Sequence, residues 1–177
     1  SSHDLDLTNS EMVKTFIKKN PPDIIVHAAG QVGGIQANID EPVNFLERNL
    51  AIGRNIIMES HKAGVRKFLN LASTCMYPRA AQNPLSEKMI LTGELEPTNE
   101  GYALAKIVAT RLCQYIRLEN PSALYKTLIP CNLFGRYDTF DPKSSHLLPA
   151  IIYKIHEAKV TGKNSVEIWG DGAARRE

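Results

Sequence analysis

The chain has 177 residues, 43% hydrophobic and 23% charged, with a net charge of +2. That balance excludes a disordered segment, and 21 basic side chains scattered among 19 acidic ones exclude the basic block of a nucleic-acid or membrane-surface binder. Cys75, Cys113 and Cys131 match neither a CxxC pair nor a zinc spacing, so no metal site is expected, and reduced thiols point to the cytoplasm.

In chain order, Asn9 is placed to cap a helix over 10–19, and the apolar run DIIVHAA predicts a strand over 23–29. A helix over 42–63 carries Pro42 in its first turn, KFLNLAS predicts a strand over 67–73, and a second long helix covers 99–119. YKTLIP predicts a strand over 125–130, RYDTFDPKSSH reads as a long loop, a helix covers 146–159, and VEIW predicts a last strand over 166–169. No apolar run reaches the ~18 residues of a membrane span, and the opening SSHDLDLTNSEM is too polar for a signal peptide. The first residue is Ser rather than Met, so the chain is expected to be processed or part of a longer protein.

Strands alternating with helices predict an α/β fold with a doubly wound, Rossmann-like parallel sheet over residues 1–135. Residues 136–177 are expected to begin a smaller region. Ligands of such sheets bind outside the carboxyl ends of the strands. Those positions here hold AAGQVGG, STCMYP and CNLFG.

Tyr102 and Lys106 lie four apart and share one helix face, an arrangement that by itself is ordinary surface decoration. Ser73 upstream changes the reading, because it ends a strand whose carboxyl edge is where the following helix begins. A hydroxyl, a phenol and an ammonium would then converge. The ammonium is expected to stabilise the Tyr102 phenolate and lower its pKa from about 10, while Ser73 hydrogen-bonds a carbonyl oxygen on which charge develops.

Strand, Ser, then YxxxK in this order resembles the extended, sugar-nucleotide-modifying branch of the short-chain dehydrogenase/reductase superfamily. STCMYP, LEPTNEGYALAK, IPCNLFG, SSHLLPAII and WGDGAARRE, with AAGQVGGI near the start, resemble within it the GDP-L-fucose synthase family. The resemblance implies a homodimer that uses NADPH to epimerise C3 and C5 of GDP-4-keto-6-deoxy-D-mannose and then reduce C4. It implies Ser73, Tyr102 and Lys106 as the reductase triad, Cys75 as the epimerisation base and His146 as its acid partner. Without it, Cys75 reads as a small buried thiol and His146 as a surface residue at a helix start.

For the cofactor, the resemblance implies Asp6 and Leu7 beside the adenine, and Ala28, Ala29 and Gly30 against ribose and phosphate. Tyr102, Lys106, Pro130, Asn132, Leu133 and His146 would lie toward the nicotinamide end. For the substrate it implies Ser73, Thr74, Cys75 and Asn132 at the sugar, Lys154 and Arg176 at the phosphates or sugar, and Trp169 near guanine. It also implies that the helices over 42–63 and 99–119 pair across the dimer.

The departures matter too. G-x-x-G-x-x-G, which holds the cofactor pyrophosphate at a helix start, does not occur in these residues. The strand over 23–29 is therefore expected to pair with residues beyond this chain. Cys131, Arg136 and Tyr137 stand where the family usually has Thr, Pro and His, which would retune substrate contacts. Two alternatives stay open: a GDP-colitose synthase, which acts similarly on a 3-deoxy sugar, and an inactive fragment that binds a nucleotide sugar or a partner chain.

Overall fold

Asn9 begins the first helix as its residue type predicts: Oδ1 accepts from the Met12 N–H at 3.1 Å. Glu11 in the first turn and Lys18 and Lys19 in the last complement the dipole of α1 (Ser10–Lys19). The elements that follow in this computed structural model are β1 (Ile25–His27), α2 (Ile35–Asp40), α3 (Pro42–Lys62), β2 (Lys67–Leu71), α4 (Glu100–Glu119), β3 (Leu124–Leu128) and α5 (Leu147–Thr161). The structure describes residues 5–141 and 145–168. The chain divides into two compact units, Ser1–Pro130 and Cys131–Glu177.

In the first unit the strands form a parallel sheet in the order β1-β2-β3. Ile25 pairs with Phe68, which pairs with Tyr125, and His27 pairs with Asn70, which pairs with Thr127. Strand residues two apart share a face, so these two rows point the same way, toward α1, α3 and α4. Val13, Ile17, Ile56, Ile57, Cys113 and Ile116 pack there against Phe68 and Tyr125. The Phe68 and Tyr125 rings stack with centroids 5.1 Å apart, and the buried Tyr125 hydroxyl donates to the Val65 carbonyl at 3.0 Å. Burying a side chain of this size stabilises by roughly 1.5–3 kcal/mol, so this cluster holds the helices to the sheet. The opposite face is apolar and open, with Val26 57%, Leu124 49% and Leu128 52% exposed. A doubly wound sheet takes its second helical layer on that face.

His27 is buried on the helix-facing side, at 4% exposure. Burial, with the Lys106 ammonium adding to it, pushes its pKa from 6.5 down to about 4. Between these values the unfolded chain binds a proton that the native chain refuses. Stability is therefore fully present above pH ~6.5 and falls as pH drops toward ~4, by about 3 kcal/mol in all. Urea midpoints measured at pH 7.5 and pH 5 should show this fall. His27→Leu should flatten it, and an unchanged slope in that variant would assign the effect elsewhere.

Two elements differ from the sequence expectation. The six-residue helix α2 starts at Gly34 without a side-chain cap, so no capping signal marks it. The strand predicted over 166–169 is not formed by residues 166–168, which join no ladder, and Trp169 lies outside the described residues. In the second unit, α5 ends on Gly162 in the left-handed region at φ 70°. Lys154 on α5 donates to the Glu167 carbonyl at 2.9 Å.

Candidate active site at the carboxyl edge of the sheet

The chain leaves β2 through Ala72 and turns at Thr74–Met76 as a single 3₁₀ turn. Ser73 caps that turn, its Oγ accepting from the Cys75 N–H at 3.3 Å. Because this bond uses an oxygen lone pair, the hydroxyl keeps its hydrogen for another acceptor. Ala72, Met76, Leu95, Ala103 and Ile107 form a second core cluster, which fastens the turn to the first half of α4. The start of α4 is in turn pressed against α3: a Cβ on Gly101 would lie 3.1 Å from the Pro42 carbonyl and 3.3 Å from Leu46 Cβ. Glycine at 101 thus lets the first turn of α4, which carries Tyr102, approach so closely.

Lys106 is 7% exposed, and its Nζ donates to the Leu71 carbonyl at 3.1 Å. Burial lowers its pKa. The ammonium lies 5.6 Å from the centroid of the Tyr102 ring, over the ring face. The sequence predicts that it pulls the phenol pKa down, and the structure corrects this. Burial, followed by the negative charge of Cys75, pushes the Tyr102 pKa up to about 12. A cation over the ring face does less for the phenolate oxygen than one bonded to it, and desolvation wins. Tyr102 therefore rests protonated, the state a proton donor needs.

The loop after β1 meets the same edge. Ala28 and Ala29 are exposed, and a Cβ on Gly30 would lie 3.0 Å from Asn49 Oδ1 and 3.7 Å from Lys106 Nζ. Asn49, on α3, holds this loop from both sides: Oδ1 accepts from the Gln31 N–H at 2.9 Å, and Nδ2 donates to the Gln31 carbonyl at 3.1 Å. Asn55, further along α3, donates to the carbonyls of Leu7 and Thr8 at 3.0 and 2.9 Å. Asp6 is exposed, and its carboxylate accepts from the Thr8 hydroxyl and N–H, which lower its pKa.

The structure thus brings together Ser73, Cys75, Tyr102, Lys106 and Gly30, with Thr74 half-buried beside them. Pro130 follows β3 at the end of the first unit. Asn132, Leu133, His146 and Lys154 belong to the second unit, where His146 is the exposed residue preceding α5. Trp169 and Arg176 lie outside the described residues. Sequence reading passes over Asn49, His27 and Asn99. Asn49 has a signal, since it occupies the apolar stripe of α3 with Phe45, Ile52 and Ile56, where a buried amide needs a reason. Among the described residues, no group of His, Cys, Asp and Glu could hold a metal ion, and no helix is long and apolar enough to cross a membrane.

A parallel α/β sheet with Ser, then Tyr-x-x-x-Lys, at its carboxyl edge defines an extended short-chain dehydrogenase/reductase. The chain belongs to the NAD dependent epimerase/dehydratase family, which matches residues 1–177. It is 55% identical to a GDP-L-colitose synthase from Yersinia pseudotuberculosis over 177 residues, all of this chain and 58% of that protein. It is also 55% identical to a GDP-L-fucose synthase from Azorhizobium caulinodans, over the whole chain and 56% of the relative. The structure of a GDP-L-fucose synthetase from Naegleria fowleri bound to NADP superposes with a TM-score of 0.88 at 30% identity, covering 99% of this chain and 57% of that one. The chain thus spans a little over half the length of these relatives.

Proposed function

We propose that the complete protein epimerises C3 and C5 of GDP-4-keto-6-deoxy-D-mannose and reduces C4 with NADPH, forming GDP-L-fucose. The observation that carries this reading is the convergence of a thiol with the Ser-Tyr-Lys set. Simple reduction needs no Cys75, whereas epimerisation beside a ketone needs a base. C3 and C5 both flank the C4 carbonyl, so loss of either proton gives an enolate on the same oxygen. In this reading the Ser73 and Tyr102 hydroxyls hold that oxygen, Cys75 takes the proton, and His146 is the acid that returns one. Bound NADPH supplies the hydride that reaches C4. Tyr102 then passes its proton to the C4 oxygen, leaving an alcohol.

The residues present suit the nicotinamide-ribose end of the cofactor. Glycine at 30 lets the backbone come close to Asn49 and Lys106, since a Cβ there would lie 3.0 Å from Asn49 Oδ1 and 3.7 Å from Lys106 Nζ, and Lys106 uses one N–H on Leu71, leaving others for ribose hydroxyls. Ala28, Ala29, Pro130, Asn132 and Leu133 would line the cofactor, with Asp6 and Leu7 at the adenine. Thr74, Asn132, Lys154, Trp169 and Arg176 would contact the substrate. In this reading residues 1–135 belong to the cofactor domain and residues 136–177 begin the substrate region.

The reading includes a homodimer, supported by an exposed apolar stripe on α4 formed by Leu104, Val108, Tyr115 and Leu118. It includes a cytoplasmic location, supported by the free thiols of Cys75, Cys113 and Cys131. The test gives the complete protein NADPH and GDP-4-keto-6-deoxy-D-mannose. NADPH absorbance should fall, and binding of the sugar nucleotide without that fall would leave a non-catalytic binder. The GDP-colitose alternative is supported by the equal identity to the Yersinia relative. A faster rate with the corresponding 3-deoxy sugar nucleotide would select it.

A further inference from the structure

Asn99 immediately precedes α4, where an Asn side chain ordinarily accepts a hydrogen bond from the helix's first N–H groups. It makes no such bond here. Forgoing a cap costs about 1 kcal/mol, so the side chain must be held by something else. Its Nδ2 donates to Cys75 Sγ at 3.3 Å. Its Oδ1, on the other side of the same planar amide, is buried and has no hydrogen-bond partner. An unmet buried acceptor is unfavourable and calls for an explanation.

We propose that Asn99 is the positioning residue for Cys75, and that its amide serves both protonation states of the sulfur by turning over. The inference rests on the epimerase reading of Cys75. A thiolate has only lone pairs to offer and needs a donor, which Nδ2 supplies. Once Cys75 has removed a proton from carbon, the sulfur carries an S–H and needs an acceptor, which Oδ1 supplies after a half-turn of the amide. The electron pair of the broken C–H bond stays on the sugar as the enolate, and the proton moves to sulfur. A base that works at two carbons in turn passes through both states twice. An amide carries both a donor and an acceptor for that cycle, whereas an ionised carboxylate carries no donor.

Asn99→Asp in the complete protein separates this role from capping. Asp caps helices as well as Asn does, so a residue serving only the start of α4 would tolerate the change. As a carboxylate it offers Cys75 no donor and sets a negative charge against the sulfur. Iodoacetamide labelling at pH 7, followed peptide by peptide to separate Cys75 from Cys113 and Cys131, should slow at Cys75 by about tenfold or more. Solvent deuterium entry at C3 and C5 should fall in parallel, with the melting temperature and NADPH affinity held. Labelling and exchange within twofold of wild type would overturn the proposal. Should the wild type itself show no exchange, the epimerase reading fails instead, while the labelling arm still decides whether Asn99 governs the sulfur. If Asn99→Asp melts early, Asn99→Leu, of similar size and with neither donor nor acceptor, takes its place with the same expectation.

Discussion

Tyr102→Phe in the complete protein should lower NADPH oxidation by about 10²–10⁴-fold while leaving NADPH and the sugar nucleotide bound. The substitution removes one oxygen and keeps the ring that Lys106 faces at 5.6 Å, so packing of α4 is preserved. What is lost is the proton for the C4 oxygen. With its pKa pushed up to about 12 by burial and by the charge on Cys75, the phenol stays protonated across the neutral and mildly alkaline range. A raised pKa favours the proton-bearing form up to that value, so titration of Tyr102 should cause no loss of rate between pH 6 and pH 9. A stopped-flow record of NADPH disappearance across that range checks both points. Near-normal rates in the Phe variant would remove Tyr102 from the chemistry.

Cys75→Ser should reduce solvent deuterium entry at C3 and C5 of the sugar by about 10²-fold or more. Serine fills the same space and can still hydrogen-bond Asn99, yet its hydroxyl is far harder to ionise than a thiol, so it does not serve as the base. The measurement is made in D₂O without NADPH, which isolates enolisation from reduction. Paired with Tyr102→Phe, it assigns the two halves of the reaction to two side chains that the fold sets on one edge. Exchange at the wild-type rate would mean that the thiol only fills space beside Ser73.

Much of the fold is legible in the sequence because its cues are local. Asn9 caps α1, Pro42 opens α3, and the alternation of apolar runs with amphipathic ones gives the parallel α/β layout. The edge that gathers Ser73, Cys75, Tyr102 and Lys106 also follows from that layout, since every carboxyl end of a parallel sheet points the same way. What escaped depends on three-dimensional surroundings. The direction of the Tyr102 shift follows from how much water the helix face loses, which spacing does not encode. Asn99 looks like a routine helix cap until its side chain is seen turned to a sulfur 24 positions away. Asn49 shows itself as an amide in an apolar stripe, but not as a clamp on Gln31. Residues 166–168 have strand-like composition, and composition does not supply a ladder partner.

The parallel register has a kinetic consequence. Ile25 must find Phe68, and Phe68 must find Tyr125, with no hairpin available to bring them together. Each ladder waits on closure of a long segment whose helix, α3 or α4, shortens the search by forming first. The strands should therefore gain protection from hydrogen exchange later than the two helices. Ser73 and Tyr102 both lie inside the segment that the last closure ties down, and the cluster of Ala72, Met76, Ala103 and Ile107 joins their elements by contacts within that segment. Hydrogen-exchange protection of residues 124–128, followed during refolding from urea, would then report the arrival of β3, after the helices have formed.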